Sequence, residues 1–378
     1  MSKTAEFALH SSALAELIVE RDLVVVAGGG GVGKTTISAA LALAASQHVD
    51  GDVLVLTIDP ARRLASALGI DIDGNEAVQV NIDGEPSNLY AAMLDPGLAW
   101  DAMVAAEATP EDAERIFNNP VYRKIADTFV HGNDYAALSW LEDAISSEKY
   151  SLIIVDTPPS QNALDFFDAP QKVADFFGSP LLSWLTGSEA SFVGAAATKT
   201  FGTLADRLLG SQFFSDVVEF FQLMTTVVPG MVERTNAVSE QFAGDRAAFL
   251  GVATPAVDLE ARLGLLASSL LDRGLEFDAL VINGVEPDVF ASAKVLDVAQ
   301  RVATNTKSPF SKSKTSLLEP GAEYVLERCE VAALQRSVLD DLPSATVATI
   351  PRLVHSPASI DALLELGLAL WRGSSSTA

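Results

Sequence analysis

The chain has 378 residues, 49% of them hydrophobic, enough to bury a large core as one α/β domain or as one domain with an inserted subdomain. Its formal net charge is −25, which disfavours a nucleic acid or an anionic membrane as partner, and its small basic cluster, Lys307 to Lys314, is Ser-rich and reads as a solvated loop. With one cysteine, Cys329, it has no intramolecular disulfide and no cysteine-built zinc or iron–sulfur site, and the thiol reads as buried and inert.

Residues 1–20 are polar and mixed in charge, unlike a signal peptide. No uncharged apolar run nears the roughly 18 residues needed to cross a bilayer, so a cytoplasmic location is expected. The first strand is read at Leu23 to Ala27. It leads into Gly28-Gly29-Gly30-Gly31-Val32-Gly33-Lys34-Thr35-Thr36 and then a helix-like stretch, Ile37 to Ala45. Strand, glycine loop and helix enclose G-x-x-x-x-G-K-T, a phosphate-binding pattern. Its glycines let backbone N–H groups converge on phosphate oxygens, and the helix N-terminus adds its positive end. Lys34 can reach the β- and γ-phosphates, and the Thr35 hydroxyl can ligate Mg²⁺. ATP or ADP with Mg²⁺ are the expected ligands. Gly28, Gly30 and Gly33 also fit G-x-G-x-x-G, with Asp52 or Asp59 as the ribose-binding acid of a dinucleotide site. That reading gives no role to Lys34-Thr35-Thr36 or to Asp156 further on.

Five more strands are read as continuous apolar runs: Val53 to Ile58, Leu152 to Val155, Ala248 to Ala253, Leu280 to Ile282 and Ala345 to Ile350. Such runs suit strands covered on both faces, hence an α/β fold with a mostly parallel sheet flanked by helices. They end at Asp59-Pro60, Asp156-Thr157-Pro158-Pro159, Thr254-Pro255, Asn283 and Pro351, at the edge where such sheets place ligands. Roughly ninety residues separate the second strand from the third and the third from the fourth, more than a crossover helix needs. Helical stretches fill both gaps: Leu98 to Ala108 and Ala113 to Gly132 in the first, Leu164 to Ala243 in the second. The chain is therefore read as a single domain, 1–378, with one helical subdomain inserted at about 96–145 and 165–245. Phe213, Phe214, Phe220, Phe221, Leu223 and Met224 form either a groove for an apolar client helix or the core of a bundle. Ala303 to Ser316 reads as a mobile loop. Ser356-Pro357 reads as the start of a helix that runs to Trp371 and packs on the sheet, followed by a frayed tail from Gly373.

Phosphate chemistry needs a carboxylate to help hold Mg²⁺ at the end of a buried strand, where Asp156 falls, and a group to orient water, for which Asp59 is placed. With these residues the chain resembles the arsenical-pump and tail-anchored-protein-targeting ATPases, within the wider class that includes the septum-site, partition and nitrogenase iron proteins. The resemblance rests on the glycine loop, on Asp59-Pro60-Ala61 followed by Leu64, and on Asp156-Thr157-Pro158-Pro159-Ser160. Gly251 to Pro255 with Leu259-Glu260-Ala261 is similar to a late segment of that family. It implies ATP hydrolysis and a face-to-face dimer closed by ATP, with the segments at Asp59 and at Asp156 to Asn162 as switches. It implies that Asp59 orients water, with Mg²⁺ near it through water, that Asp156 holds Mg²⁺ through water, and that Thr36 touches the α-phosphate. It places Asn283 at the adenine and Pro351 to Val354 in a loop over the base.

The chain departs from that family in three ways. Family members carry a second lysine after the first loop glycine, where this chain has Gly29. Three readings follow: Arg62 or Arg63 is the substitute, a partner subunit supplies the lysine, or hydrolysis is slow; the second is a heterodimer with a lysine-bearing paralogue rather than a homodimer. One cysteine cannot bind a metalloid, which disfavours arsenite export. Nor can one cysteine form the paired site through which zinc staples some of these dimers.

Overall fold

The computed structural model describes residues 12–58, 62–122, 130–158, 211–304, 312–340 and 346–373, apart from Asp73, Asp83, Val257, Val354, Ser356 and Ala358, plus isolated positions at 124, 168, 172, 175, 176 and 179. The first strand, β1 (Leu23–Gly28), shows why the strands are apolar throughout. Leu23, Val25 and Ala27 enter the core on one sheet face, while Val24 and Val26 enter the core on the other. Successive side chains of a strand point to opposite faces, so a strand covered on both sides is apolar along its middle and carries polar residues chiefly at its ends.

The other strands are β2 (Asp52–Thr57), β3 (Val78–Ile82), β4 (Glu85–Met93), β5 (Tyr150–Asp156), β6 (Ala247–Ala253), β7 (Ala279–Val285) and β8 (Thr346–Pro351). They form one sheet in the order β3-β4-β2-β5-β1-β6-β7-β8. Every neighbouring pair is parallel except β3 and β4, which are antiparallel. The chain leaves β1 towards β2 on one side and later crosses to β6 on the other. Such a reversal opens a crevice at the carboxyl ends of the strands, and the glycine loop sits there.

The helices are α1 (Ala13–Val19), α2 (Lys34–Ser46), α3 (Arg63–Leu68), α4 (Pro96–Glu107), α5 (Pro110–Asn118), α6 (Val130–Ser146), α7 (Ser211–Phe242), α8 (Leu259–Leu271), α9 (Ala293–Thr304), α10 (Lys312–Asp340) and α11 (Ile360–Arg372). Residues of α1, α2, α3 and α11 share one core with the sheet. Residues of α4, α5, α6, α7 and α8 share the other. Arg234 of α7 ties this second layer together, facing Glu107 of α4 at 3.2 Å and Glu142 and Asp143 of α6 at 3.4 and 2.6 Å. Phe220, Phe221, Leu223 and Met224 of α7 are buried in that core, so in this structure they pack as a bundle core, not as an open groove.

Several sequence expectations are corrected. The gap after the second strand holds the β3–β4 hairpin as well as helices. The C-terminal helix begins at Ile360, not at Ser356-Pro357: Ser359 is extended and its hydroxyl accepts the Ala362 N–H at 3.2 Å. That helix packs chiefly on α2, where a Cβ on Gly367 would overlap the carbonyl of Ala40. Helices α9 and α10 take both ends of the expected loop at Ala303 to Ser316, leaving 305–311 outside the described residues. The tail beyond Gly373 and most of 159–210 also lie outside them. Cys329 is buried, as read. Among the described residues, no helix is long and apolar enough to cross a membrane.

The two ends of the described chain meet. Ser12 donates its N–H to Trp371 O at 2.8 Å and its hydroxyl to Leu370 O at 2.9 Å. The same hydroxyl caps α1 by accepting the Ala15 N–H, and Trp371 stacks on His48 with ring centroids 5.0 Å apart.

Candidate functional site

The glycine loop joins the end of β1 to the start of α2, and two glycines show why it takes this path. A Cβ on Gly28 would overlap Val252 O of the neighbouring strand β6. Gly33 caps α2 with φ +98°, a left-handed conformation, and a Cβ there would stand 2.5 Å from Asn283 Nδ2. At Gly28 and Gly33 the loop is thus pressed against β6 and β7 with room for backbone alone. Asn283 donates its amide to Val32 O at 2.8 Å, which fixes the loop from the end of β7.

Lys34 is 5% exposed and curls back over the loop, its ammonium donating to Gly28 O and Gly29 O at 2.9 Å each. The Thr35 hydroxyl donates to Asp156 Oδ2 at 2.7 Å, joining residues 121 positions apart. Thr57, at the end of β2, donates its hydroxyl to the same oxygen at 3.0 Å. Asp156 is fully buried and Thr57 almost so. Thr157 follows, its hydroxyl donating to Val26 O at 2.9 Å, which holds the chain leaving β5 against β1. A cavity of about 170 Å³ opens at the loop, lined by Gly31, Gly33, Lys34, Thr35, Thr36, Arg63, Ala67 and Thr157.

The donor set suits a hard divalent cation: a hydroxyl and a carboxylate within hydrogen-bond distance, both oxygen ligands of the kind Mg²⁺ takes beside phosphate. The loop suits a phosphate chain, with a cation, a helix N-terminus and glycines that admit close approach. Among the described residues, no group of three or more His, Cys, Asp and Glu side chains is arranged to hold a metal by itself.

The structure brings Gly28 to Thr36, Asp156 and Asn283 to one end of the sheet. Pro351 ends β8 and lies beside Val285 in the register, one step past the Asn283–Ile350 pair. Asp59 and Val354 lie outside the described residues. Of the two arginines considered as cation donors, Arg63 lines the cavity and Arg62 does not. Thr57 was missed by sequence reasoning. Its signal is a lone hydroxyl closing an apolar strand just before Asp59-Pro60.

Residues 21–308 match the profile of a family described as anion-transporting ATPases. Among individual proteins, the chain is similar to ATPase get3 of Schizosaccharomyces pombe, 34% identical over 159 residues, which cover 41% of this chain and 45% of that protein. It is similar to ATPase GET3 of Podospora anserina at 33% over 161 residues, 42% of this chain and 46% of that one. These matches span about half the length of the relatives. The family match covers most of the chain, including every strand from β1 to β7, and the mostly parallel sheet flanked by helices is that of a phosphate-loop nucleotide hydrolase. The chain belongs to the anion-transporting ATPase family.

Proposed function

We propose that this chain binds ATP at the glycine loop and hydrolyses it with Mg²⁺, and that the cycle moves a helical subdomain made of 96–145 and 165–245. One observation carries the reading: the Thr35 hydroxyl and the Asp156 carboxylate lie 2.7 Å apart at the foot of a helix whose first residue is Lys34. Backbone N–H groups of the loop bind the phosphate chain, with Thr36 at the α-phosphate. Lys34, held by two loop carbonyls, exchanges them for phosphate oxygens. Thr35 and Asp156 would hold Mg²⁺, Asp156 through water. When bound, the metal would offset the negative charge that develops on the phosphate oxygens. Thr57 keeps the Asp156 carboxylate in place. Asp59 orients the attacking water. Asn283, with Pro351 and Val354, forms the side of the site that receives adenine.

Loss of the γ-phosphate releases the two candidate switches, the segments at Asp59 and after Asp156, and the helical subdomain moves with them. The resemblance to tail-anchored-protein-targeting ATPases makes an ATP-closed dimer and an apolar client helix the output, in the cytoplasm and without zinc. The buried Phe and Met side chains of α7 would have to open to receive such a client. Gly29 favours a second reading: an ATP-binding scaffold subunit of slow turnover, paired with a lysine-bearing paralogue. The test is steady-state hydrolysis by the purified chain, with its mass measured with and without Mg·ATP. Turnover with an ATP-dependent dimer supports the first reading. Tight binding without turnover supports the second. Absence of Mg·ATP binding sinks both.

A further inference from the structure

Lys34 is the one cation of the glycine loop, and Gly29 stands where the resemblance to the targeting ATPases implies a second lysine. The transferring phosphoryl group spreads its charge over three equatorial oxygens, and one lysine covers only part of it. The wall of the cavity holds another cation. Arg63 lines it together with Gly31, Lys34, Thr35 and Thr36.

The position of Arg63 follows from the packing of α3. Leu64, Ala65 and Leu68 are buried in the core between that helix and the sheet. Arg63 and Ala67, one turn apart, are on the side left over, and both line the cavity. Arg62 caps the helix at φ +43°, a left-handed conformation that an arginine holds only where its surroundings impose it. This turn gives the cavity wall Arg63 rather than Arg62. A guanidinium is always charged and meets phosphate oxygens in pairs, which a lysine cannot do.

We propose that Arg63 is a phosphate-binding residue of this site, supplying in cis the second positive charge that Gly29 does not. It acts on the terminal phosphate and its charge in the transition state, and Arg62 has no such part. The proposal rests on the phosphate-loop reading above. It also has a built-in rescue. A Cβ on Gly29 would meet only Val32 Cγ1, at 3.7 Å, an ordinary contact, so a side chain can start there without a clash.

The test uses the full chain and four variants: Arg63→Ala, Arg63→Lys, Arg62→Ala and the double variant Arg63→Ala with Gly29→Lys. Binding of Mg·ADP and of Mg·ATPγS is measured by calorimetry, and ATP turnover beside it. Arg63 is exposed, so its variants are expected to fold. Arg63→Ala should weaken Mg·ATPγS by about tenfold or more while Mg·ADP stays within about twofold, and any turnover should fall by roughly a hundredfold or more. Arg63→Lys should keep part of the selectivity for the triphosphate, and the double variant should regain it. Arg62→Ala should match the wild type in both ligands. If the wild type binds Mg·ATPγS and Arg63→Ala binds it equally well, Arg63 has no such role. If the wild type binds neither nucleotide, the phosphate-loop reading falls, and this proposal with it.

Discussion

Thr57→Val probes the buried carboxylate of the site through a residue that no nucleotide is expected to touch. The Thr57 hydroxyl donates to Asp156 Oδ2 at 3.0 Å, and that oxygen also accepts from Thr35 at 2.7 Å. Valine keeps the shape and replaces the hydroxyl by a methyl. A hydrogen bond to a charged group contributes about 1.5–3 kcal/mol, and because the Thr35 bond survives, the low end of that range applies. The apo chain should therefore lose roughly 1.5–2 kcal/mol in its cooperative urea transition. The lower figure is about a tenfold change in any equilibrium that needs Asp156 ionised and in place. The informative quantity is the ratio of ATP affinity with Mg²⁺ to affinity without it, read by calorimetry. It should fall about tenfold while Mg²⁺-free binding stays within roughly twofold. A variant with wild-type urea midpoint and wild-type Mg²⁺ ratio would refute the argument that Thr57 holds the carboxylate.

Four further outcomes are expected. Lys34→Ala should weaken ATP by about a hundredfold or more, as a charge-assisted phosphate contact is lost, and wild-type affinity would remove the loop assignment. Asp59→Asn should bind ATP normally and lose turnover by roughly a hundredfold or more, and unchanged turnover would remove Asp59 from the mechanism. Gly33→Ala should cost about 1–2 kcal/mol for its left-handed φ alone, abolish nucleotide binding as the new methyl crowds Asn283, and show both effects in one thermal-shift titration. Arg234→Met should leave Glu107, Glu142 and Asp143 facing one another. The group is partly exposed, so the cost should be about 1–2 kcal/mol, seen as faster hydrogen exchange in α7 with little change in the glycine loop.

The parts of the fold that were legible are those with one physical cause. β1, β2, β5, β6 and β7 lie inside the sheet and are largely buried on both faces, which writes a continuous apolar run, whereas β8 at the other edge was read from its apolar composition although Val347 and Thr349 are exposed. The hairpin was missed because β3 lies at the sheet edge and is covered on one side only. There Val80 is buried while Gln79 and Asn81 are exposed, so its sequence alternates where the search was for unbroken runs. The Asp83-Gly84 that follows is a strong hairpin sign. The glycine loop was legible because phosphate binding dictates residue type at nearly every step. The Thr35–Asp156 contact could be expected only from chemistry, since the partners are 121 positions apart. Thr57 carries no pattern of its own, and its role follows from which strands neighbour β5. The Ser356-Pro357 start was misplaced because a serine stands again at 359, and spacing alone does not tell which of two serines meets the first free N–H group.

The meeting of Ser12 with Leu370 and Trp371 has a practical consequence. It lies at the end of α2 remote from the glycine loop, one 13-residue helix or about 20 Å away from the nucleotide cavity. Two positions that far apart in sequence and this close in space invite a different chain order. A short polar linker from Gly373 to Ser12, with new ends opened elsewhere on the surface, would keep every strand and the whole site in register. A fluorophore or a surface tether placed at this junction would report on, or hold, the molecule from behind, leaving the mouth of the cavity clear for nucleotide and for whatever closes over it.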